Sequence, residues 1–367
     1  MFIPFGGAPP IRHKAFRNTD EVRSFITERS MHSCFYSTAY WKRPYEAKMN
    51  DKEWLGADLI FDLDGDHLPG VTDRDFPSMI EVIQDQAWSL WNDFLEPEFG
   101  FDESFLQVTF SGHRGFHLHY RDPRFFHLDS EARRELVSHI RGEGVDVQGG
   151  LSRYNDADAL GWTQRIRDGM DSMIAQLQAI QRQDEGSHKI LTRLEANLRA
   201  LQDREGLTSQ RSGASIKKLA DLLDHDLRVE RLKNGRFDVL GNYQALFLNL
   251  LKSDASVVLG SAGETDEVVT IDVRRQIRWP TSLHGKSGMR VTEFPLHRLD
   301  PDGSKPFLPL QEAFVLGHDT QLNVKITVEQ AIAQFRDRRY EFFLGDTYEL
   351  PEDAATFMVL KGWAELA

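Results

Sequence analysis

With 367 residues, 40% of them hydrophobic and 28% charged, the chain can bury one large core or two modest ones and is far from a disordered composition. No apolar run approaches the roughly 18 residues of a membrane span, and MFIPFGGAPPIRHK lacks the basic-then-apolar order of a signal peptide, so a cytoplasmic protein with no membrane partner is expected. The single cysteine, Cys34, excludes a disulfide framework and a Cys-based zinc site within one chain, and the net charge of −13 argues against a broadly basic nucleic-acid face.

In chain order, Asn18-Thr19-Asp20 caps a short helix with Val22, Phe25 and Ile26 on one face. Cys34 to Ser37 reads as a strand. Ala57 to Phe61 reads as a buried strand that runs into the acidic cluster Asp62-Leu63-Asp64-Gly65-Asp66. Ser78 with Glu81 forms a capping-box pattern behind Pro77, followed by Ile80, Ile83, Ala87, Trp91 and Phe94 at helical spacing. Phe105 to Phe110 and Phe116 to Tyr120 read as strands joined by the turn Ser111 to Gly115, and Asp129-Ser130 caps another helix. Three helical stretches follow, marked by Ile166 to Leu177, Ile190 to Leu201 and Leu219 to Leu223. They predict a helical subdomain over 156–235, inserted between the halves 1–155 and 236–345 of a mixed-sheet domain. An apolar helix over Tyr243 to Leu251, a strand ending Val269-Thr270-Ile271-Asp272, a turn-rich loop and a helix over Val328 to Arg338 complete the reading, with 346–367 as a C-terminal tail.

Three segments carry chemistry. Asp62 and Asp64 stand two apart on a strand, so both carboxylates share one face. Paired like charges call for a cation between them, and oxygen donors suit magnesium or manganese; the plain alternative is an acidic strand end before a turn. The segment Phe110-Ser111-Gly112-His113-Arg114-Gly115-Phe116-His117 sets a basic pair between two glycines. Its backbone N–H groups and its Ser, His and Arg side chains suit phosphate oxygens. A hairpin with incidental polar residues, or a zinc site of His113, His117 and His119, are the alternatives. The third is Asp272, followed by Arg278-Trp279-Pro280-Thr281-Ser282-Leu283-His284-Gly285-Lys286. Five basic residues against one acid over 272–290 reverse the sign of the whole chain, which fits either an anion site or a solvated basic loop.

Taken together and in this order, the three segments resemble the archaeal-eukaryotic primase superfamily. Phe35-Tyr36-Ser37, Trp162 and the run Arg278 to Gly288 resemble archaeal primase small subunits in particular, over roughly residues 1 to 345. The resemblance implies an α+β fold, a mixed-sheet primase catalytic domain with an inserted helical subdomain. It implies a nucleotidyltransferase of the DNA-directed RNA polymerase type that makes short primers on single-stranded DNA from nucleoside triphosphates by two-metal nucleotidyl transfer for DNA replication, paired with a primase large subunit as a heterodimer. It further implies Asp62, Asp64 and Asp272 as catalytic, metal-binding carboxylates for Mg2+ or Mn2+. Ser111, His113, Arg114, His117, Arg278, His284 and Lys286 would bind nucleotide. Members of the family often carry a zinc knuckle soon after the acid pair; His67 to Trp88 holds no cysteine, so no Cys-based zinc site is carried over. A repair or gap-filling polymerase of the same superfamily is the alternative. Phe61 to Gly65 also resembles the nucleophile motif of haloacid-dehalogenase-type phosphatases. That family places Thr or Val after the glycine and sets the motif near the N-terminus, whereas Asp66 follows here.

Overall fold

The computed structural model describes residues 1–65, 72–141, 149, 161–205, 213–255 and 269–367. The chain divides into two compact units, Met1–Trp88 with Asp102–Val137 and Ala262–Ala367, and Ser89–Phe101 with Ser138–Ser261. The fold is α+β. The expected boundary at 155/156 and the acid Asp66 lie outside the described residues.

In the first unit, β1 (Phe2–Pro4), β2 (Met31–Ser37) and β8 (Gln276–Arg278) form a three-stranded sheet in the order β1-β2-β8, with Phe35 opposite Arg278. Helix α1 (Thr19–Thr27) starts at Asn18, whose side chain accepts the Glu21 N–H, as the sequence predicts. β3 (Ala39–Trp41) pairs with β4 (Trp54–Ala57). The sheet that carries the acid pair has the order β5-β7-β6-β9, built from β5 (Leu59–Asp64), β6 (Leu106–Phe110), β7 (Gly115–Tyr120) and β9 (Thr292–Phe294). Every residue of β7 is buried, including His117 and His119, which alternate with Phe116, Leu118 and Tyr120 along the strand.

Two helices belong to this sheet region, α2 (Phe76–Leu90) and α3 (Ser130–Ile140). The first begins before the expected capping box. Asp75, not Ser78, supplies the cap: its carboxylate accepts the Ser78 N–H at 3.3 Å and the Ser78 hydroxyl at 2.9 Å. Arg133 on α3 is 1% exposed and donates to the carbonyls of Ala57 at 2.8 Å, Asp58 at 2.9 Å and Leu128 at 2.9 Å. It thereby ties α3 to the entrance of β5. Burial pushes its pKa down to about 10, still a cation at neutral pH.

The last third departs from the sequence reading in three places. Residues 269–271 are helical rather than a strand. Val328 to Arg338 is no helix: β11 (Gln330–Phe335) and β12 (Arg338–Phe343) make a hairpin in which Ala331, Ala333 and Phe335 are buried at every second residue. Alternating burial there overrides the helical preference of Ala and Gln. Residues 346–367 hold β13 (Thr347–Pro351), α9 (Glu352–Leu360) and β14 (Ala364–Leu366), and β13 and β14 flank β10 (Gln321–Ile326) in one sheet. Phe357 of α9 packs its ring on Phe76 at 5.1 Å, Phe335 at 5.5 Å and Trp363 at 5.8 Å. Burying one such ring stabilises by about 1.5–3 kcal/mol, so this segment is part of the unit's core.

The second unit is helical: α4 (Gly161–Arg182), α5 (Ser187–Glu205), α6 (Gly213–Leu222), α7 (Asp226–Lys233) and α8 (Gln244–Ala255). Its core joins Ile166, Met170, Leu177, Leu194, Leu198, Leu219, Leu223, Phe247 and Leu250, which carry the helical periodicity read from the sequence. Among the described residues, no helix is long and apolar enough to cross a membrane.

Candidate nucleotide and metal site

The register of β5 against β7 builds the first half of the site. Asp62 lies opposite His117 and Asp64 opposite Gly115. The Asp62 carboxylate meets His117 Nε2 at 3.2 Å and the Asp64 carboxylate meets Arg114 Nε at 3.0 Å. Burial alone would raise the Asp62 carboxyl, but the charge and hydrogen bond of His117 outweigh it and hold the carboxyl below its ordinary range. Burial would likewise lower His117, and Asp62 reverses this and raises it. The acid pair is thus exposed by 19% and 35% on one strand face, each acid already facing one basic side chain.

The turn that follows is shaped by two glycines. Gly112 has φ +79°, and a Cβ there would stand 3.0 Å from the Met289 carbonyl and 3.1 Å from the His284 side chain. A Cβ on Gly115 would stand 2.4 Å from the Leu63 carbonyl. Only glycine lets this turn lie against both the end of β5 and the loop 279–291. The Ser111 hydroxyl oxygen accepts the N–H groups of His113 at 3.3 Å and Gly115 at 3.1 Å. Ser111 therefore shapes the turn from inside.

The loop after β8 closes on this turn. Buried Ser287 donates its hydroxyl to the Gly112 carbonyl. The His284 N–H donates to Met289 O at 2.8 Å, and its Nδ1 accepts the Lys286 N–H at 3.2 Å, leaving Nε2 to carry the ring proton. The rings of His113 and His284 stack at 4.9 Å and 13°. Burial, then Lys361 and His284, push His113 down to about 2; burial, then Arg278 and Lys286, push His284 down to about 3. Both imidazoles are neutral at pH 7, inside a ring of cations. Arg278 donates to the Ser33 hydroxyl at 3.1 Å and lies 4.8 Å over the Phe35 ring. Lys286 is exposed.

Asp272 precedes β8. Its carboxylate accepts the Arg274 N–H at 2.8 Å, capping its own turn. Among the described residues, no group of three or more His, Cys, Asp or Glu side chains is placed to hold one metal ion. The neighbouring segment does reach β5: Val269 and Ile277 pack with Ile60, and the charge of Arg275 acts on both Asp62 and His117. The three histidines weighed as zinc ligands do not converge either. His117 faces Asp62, His113 stacks on His284, and His119 bonds Asp58 at 2.5 Å and the Tyr36 hydroxyl at 2.8 Å.

Comparison with known proteins decides the family. The DNA primase small subunit family matches residues 61–296. The DNA primase small subunit PriS of Methanothrix thermoacetophila is 33% identical, over 97% of this chain and 89% of its own length. That of Methanococcoides burtonii is 33% identical over 96% and 87%, and that of Haloarcula marismortui 31% over 99% and 90%. The chain belongs to the archaeal DNA primase small subunit family.

It is thereby the catalytic primase subunit of DNA replication and an enzyme of the nucleotidyltransferase type. Within the primase fold, Ser287 of the 278–288 run pins Gly112, and Arg275 of the basic segment lies within charge range of Asp62. The structure also places Lys361, which the sequence did not single out, 3.4 Å from His113. Lys361 carries no local signal, because a basic residue just after a helix is an ordinary C-terminal cap.

Proposed function

We propose that this primase subunit builds primers on single-stranded DNA by metal-assisted transfer of nucleotides from nucleoside triphosphates, in complex with a primase large subunit. The observation that carries the reading is the meeting of the acid pair, the 111–117 turn and the 278–286 loop in one unit, joined by the His113–His284 stack. Asp62 and Asp64 fit a divalent cation: two carboxylates on one strand face, oxygen donors only, of the kind magnesium and manganese take. Bound there, the cation supplies charge stabilisation at the attacking 3′-hydroxyl and the leaving pyrophosphate. The Arg274 N–H occupies one oxygen of Asp272 and a carboxylate can ligate through its other, so the part of Asp272 as a third ligand rests on the resemblance in motif order.

The chain's own residues account for the rest. Arg114, Arg278 and Lys286 neutralise the triphosphate, and His284 presents its Nε2 proton as a neutral donor. His117 balances Asp62 and keeps the carboxylate ionised. Ser111 and Ser287 hold the turn and loop in register. No covalent intermediate is required, since phosphoryl transfer depends on positioning and charge. Incubation with single-stranded template, labelled nucleotides and Mg2+ or Mn2+, with and without a large subunit, tests the reading. New strands without a supplied 3′ end support it; extension of existing ends alone assigns the chain to gap filling. His284→Ala is expected to raise the apparent KM for nucleotide by about tenfold, the loss of one charge-assisted contact; unchanged kinetics place His284 outside the site.

A further inference from the structure

We propose that Lys361 is a positioning residue of the triphosphate site, holding His113 and adding positive charge behind it. The inference rests on the nucleotide-binding reading of the 111–117 turn. Lys361 follows α9, and its side chain is 4% exposed. Its Nζ lies 3.4 Å from His113 Nε2 and 2.7 Å from the Asp73 carboxylate. It stands 5.1 Å and 5.0 Å from the ring centroids of Phe76 and Trp363.

The chemistry of this contact is specific. An ammonium has donors only, so the His113 Nε2 it meets is an acceptor, and the proton of the neutral ring sits on Nδ1. The His284 stack fixes the plane of the same ring. Lys361 and His284 together set the tautomer and rotation of an imidazole whose backbone belongs to the anion-binding turn. Burying an ammonium is unfavourable, and two aromatic faces plus one carboxylate offset it only in part. That carboxylate, on Asp73, is 44% exposed and also lies 4.0 Å from Arg114. Asp73 therefore lies near both Lys361 and Arg114, and Arg114 also meets Asp64, so a polyanion arriving at the turn competes with these acids for the two cations. A lysine serving packing alone would be replaced without loss by a methionine against Phe76 and Trp363.

The test measures nucleotide KM and kcat for the full chain with its large subunit, in wild type, Lys361→Met, Lys361→Arg and Asp73→Asn, with melting temperature as the fold control. Lys361→Met is expected to raise KM about tenfold, one charge-assisted contact, with kcat little changed. Lys361→Arg is expected to restore most of the loss. Asp73→Asn, which removes the competing anion from a half-exposed position, is expected to lower KM. An unchanged KM in a folded Lys361→Met, or failure of Lys361→Arg to restore it, overturns the proposal. Should Lys361→Met not fold, Asp73→Asn decides: a lower KM supports the role, and an equal or higher one overturns it. A wild type that shows no saturable use of nucleotide refutes the site reading itself, whereas an active wild type matched by Lys361→Met refutes the Lys361 role alone.

Discussion

His113 shows how far one side chain can be moved by its surroundings. It is 6% exposed, its ring lies on His284, and its pKa is pushed from 6.5 to about 2 by burial and by Lys361. The unfolded chain takes up this proton near pH 6.5 and the folded chain refuses it, so stability is complete above about 6.5 and falls as pH drops below it. In urea unfolding between pH 6.5 and 5, His113→Gln is expected to flatten the slope by up to about 1.4 kcal/mol per pH unit, one proton's worth. An identical slope in wild type and variant would mean that His113 titrates normally. On the proposed reading, the same depression makes His113 and His284 neutral donors to an anion and leaves the cationic work to Arg114, Arg278, Lys286 and Lys361.

Between elements, the position of the acid pair depends on what holds the start of β5. Arg133 reaches from α3 to the Ala57 and Asp58 carbonyls and to the Thr270 carbonyl at 3.5 Å. Arg133→Met leaves several buried acceptors without a donor, at roughly 1–3 kcal/mol for each, and is expected to destabilise the chain by about 3 kcal/mol in denaturant titration. A loss well below 1 kcal/mol would show that Arg133 does not hold these strands. The elements nearest the acid pair were legible in the sequence because local signals and tertiary demands agree there. Apolar runs end at Asp62, two glycines bracket His113-Arg114, and Asn18 and Asp129 cap helices where caps are found. Legibility failed where they disagree. Ala331, Ala333 and Gln334 favour a helix on their own, yet the alternating burial of Ala331, Ala333 and Phe335 in the hairpin with β12 makes the segment a strand. Val269 to Ile271 suit a strand by residue type but form a helical turn before Asp272. Lys361 was invisible, since nothing near it in sequence points to a histidine 248 residues away.

At the scale of the whole molecule, a net charge of −13 coexists with a locally basic site. Neutralising template phosphates needs a basic face that a net charge of −13 does not favour, so template affinity is expected to come largely from the proposed large subunit. With Cys34 the only cysteine, metal dependence should be confined to the catalytic cation. A zinc-selective chelator is expected to leave the melting temperature unchanged, and a large drop would reveal a structural zinc site.

The central claim is that Asp62 and Asp64 act together on a divalent cation during nucleotide transfer. Primer synthesis on single-stranded template in Mg2+ or Mn2+, compared among wild type, Asp62→Asn and Asp64→Asn at equal folded fraction, measures it directly. The account predicts product from the wild type and none from either variant, with melting temperatures that stay close together. Undiminished synthesis by either folded variant would contradict it.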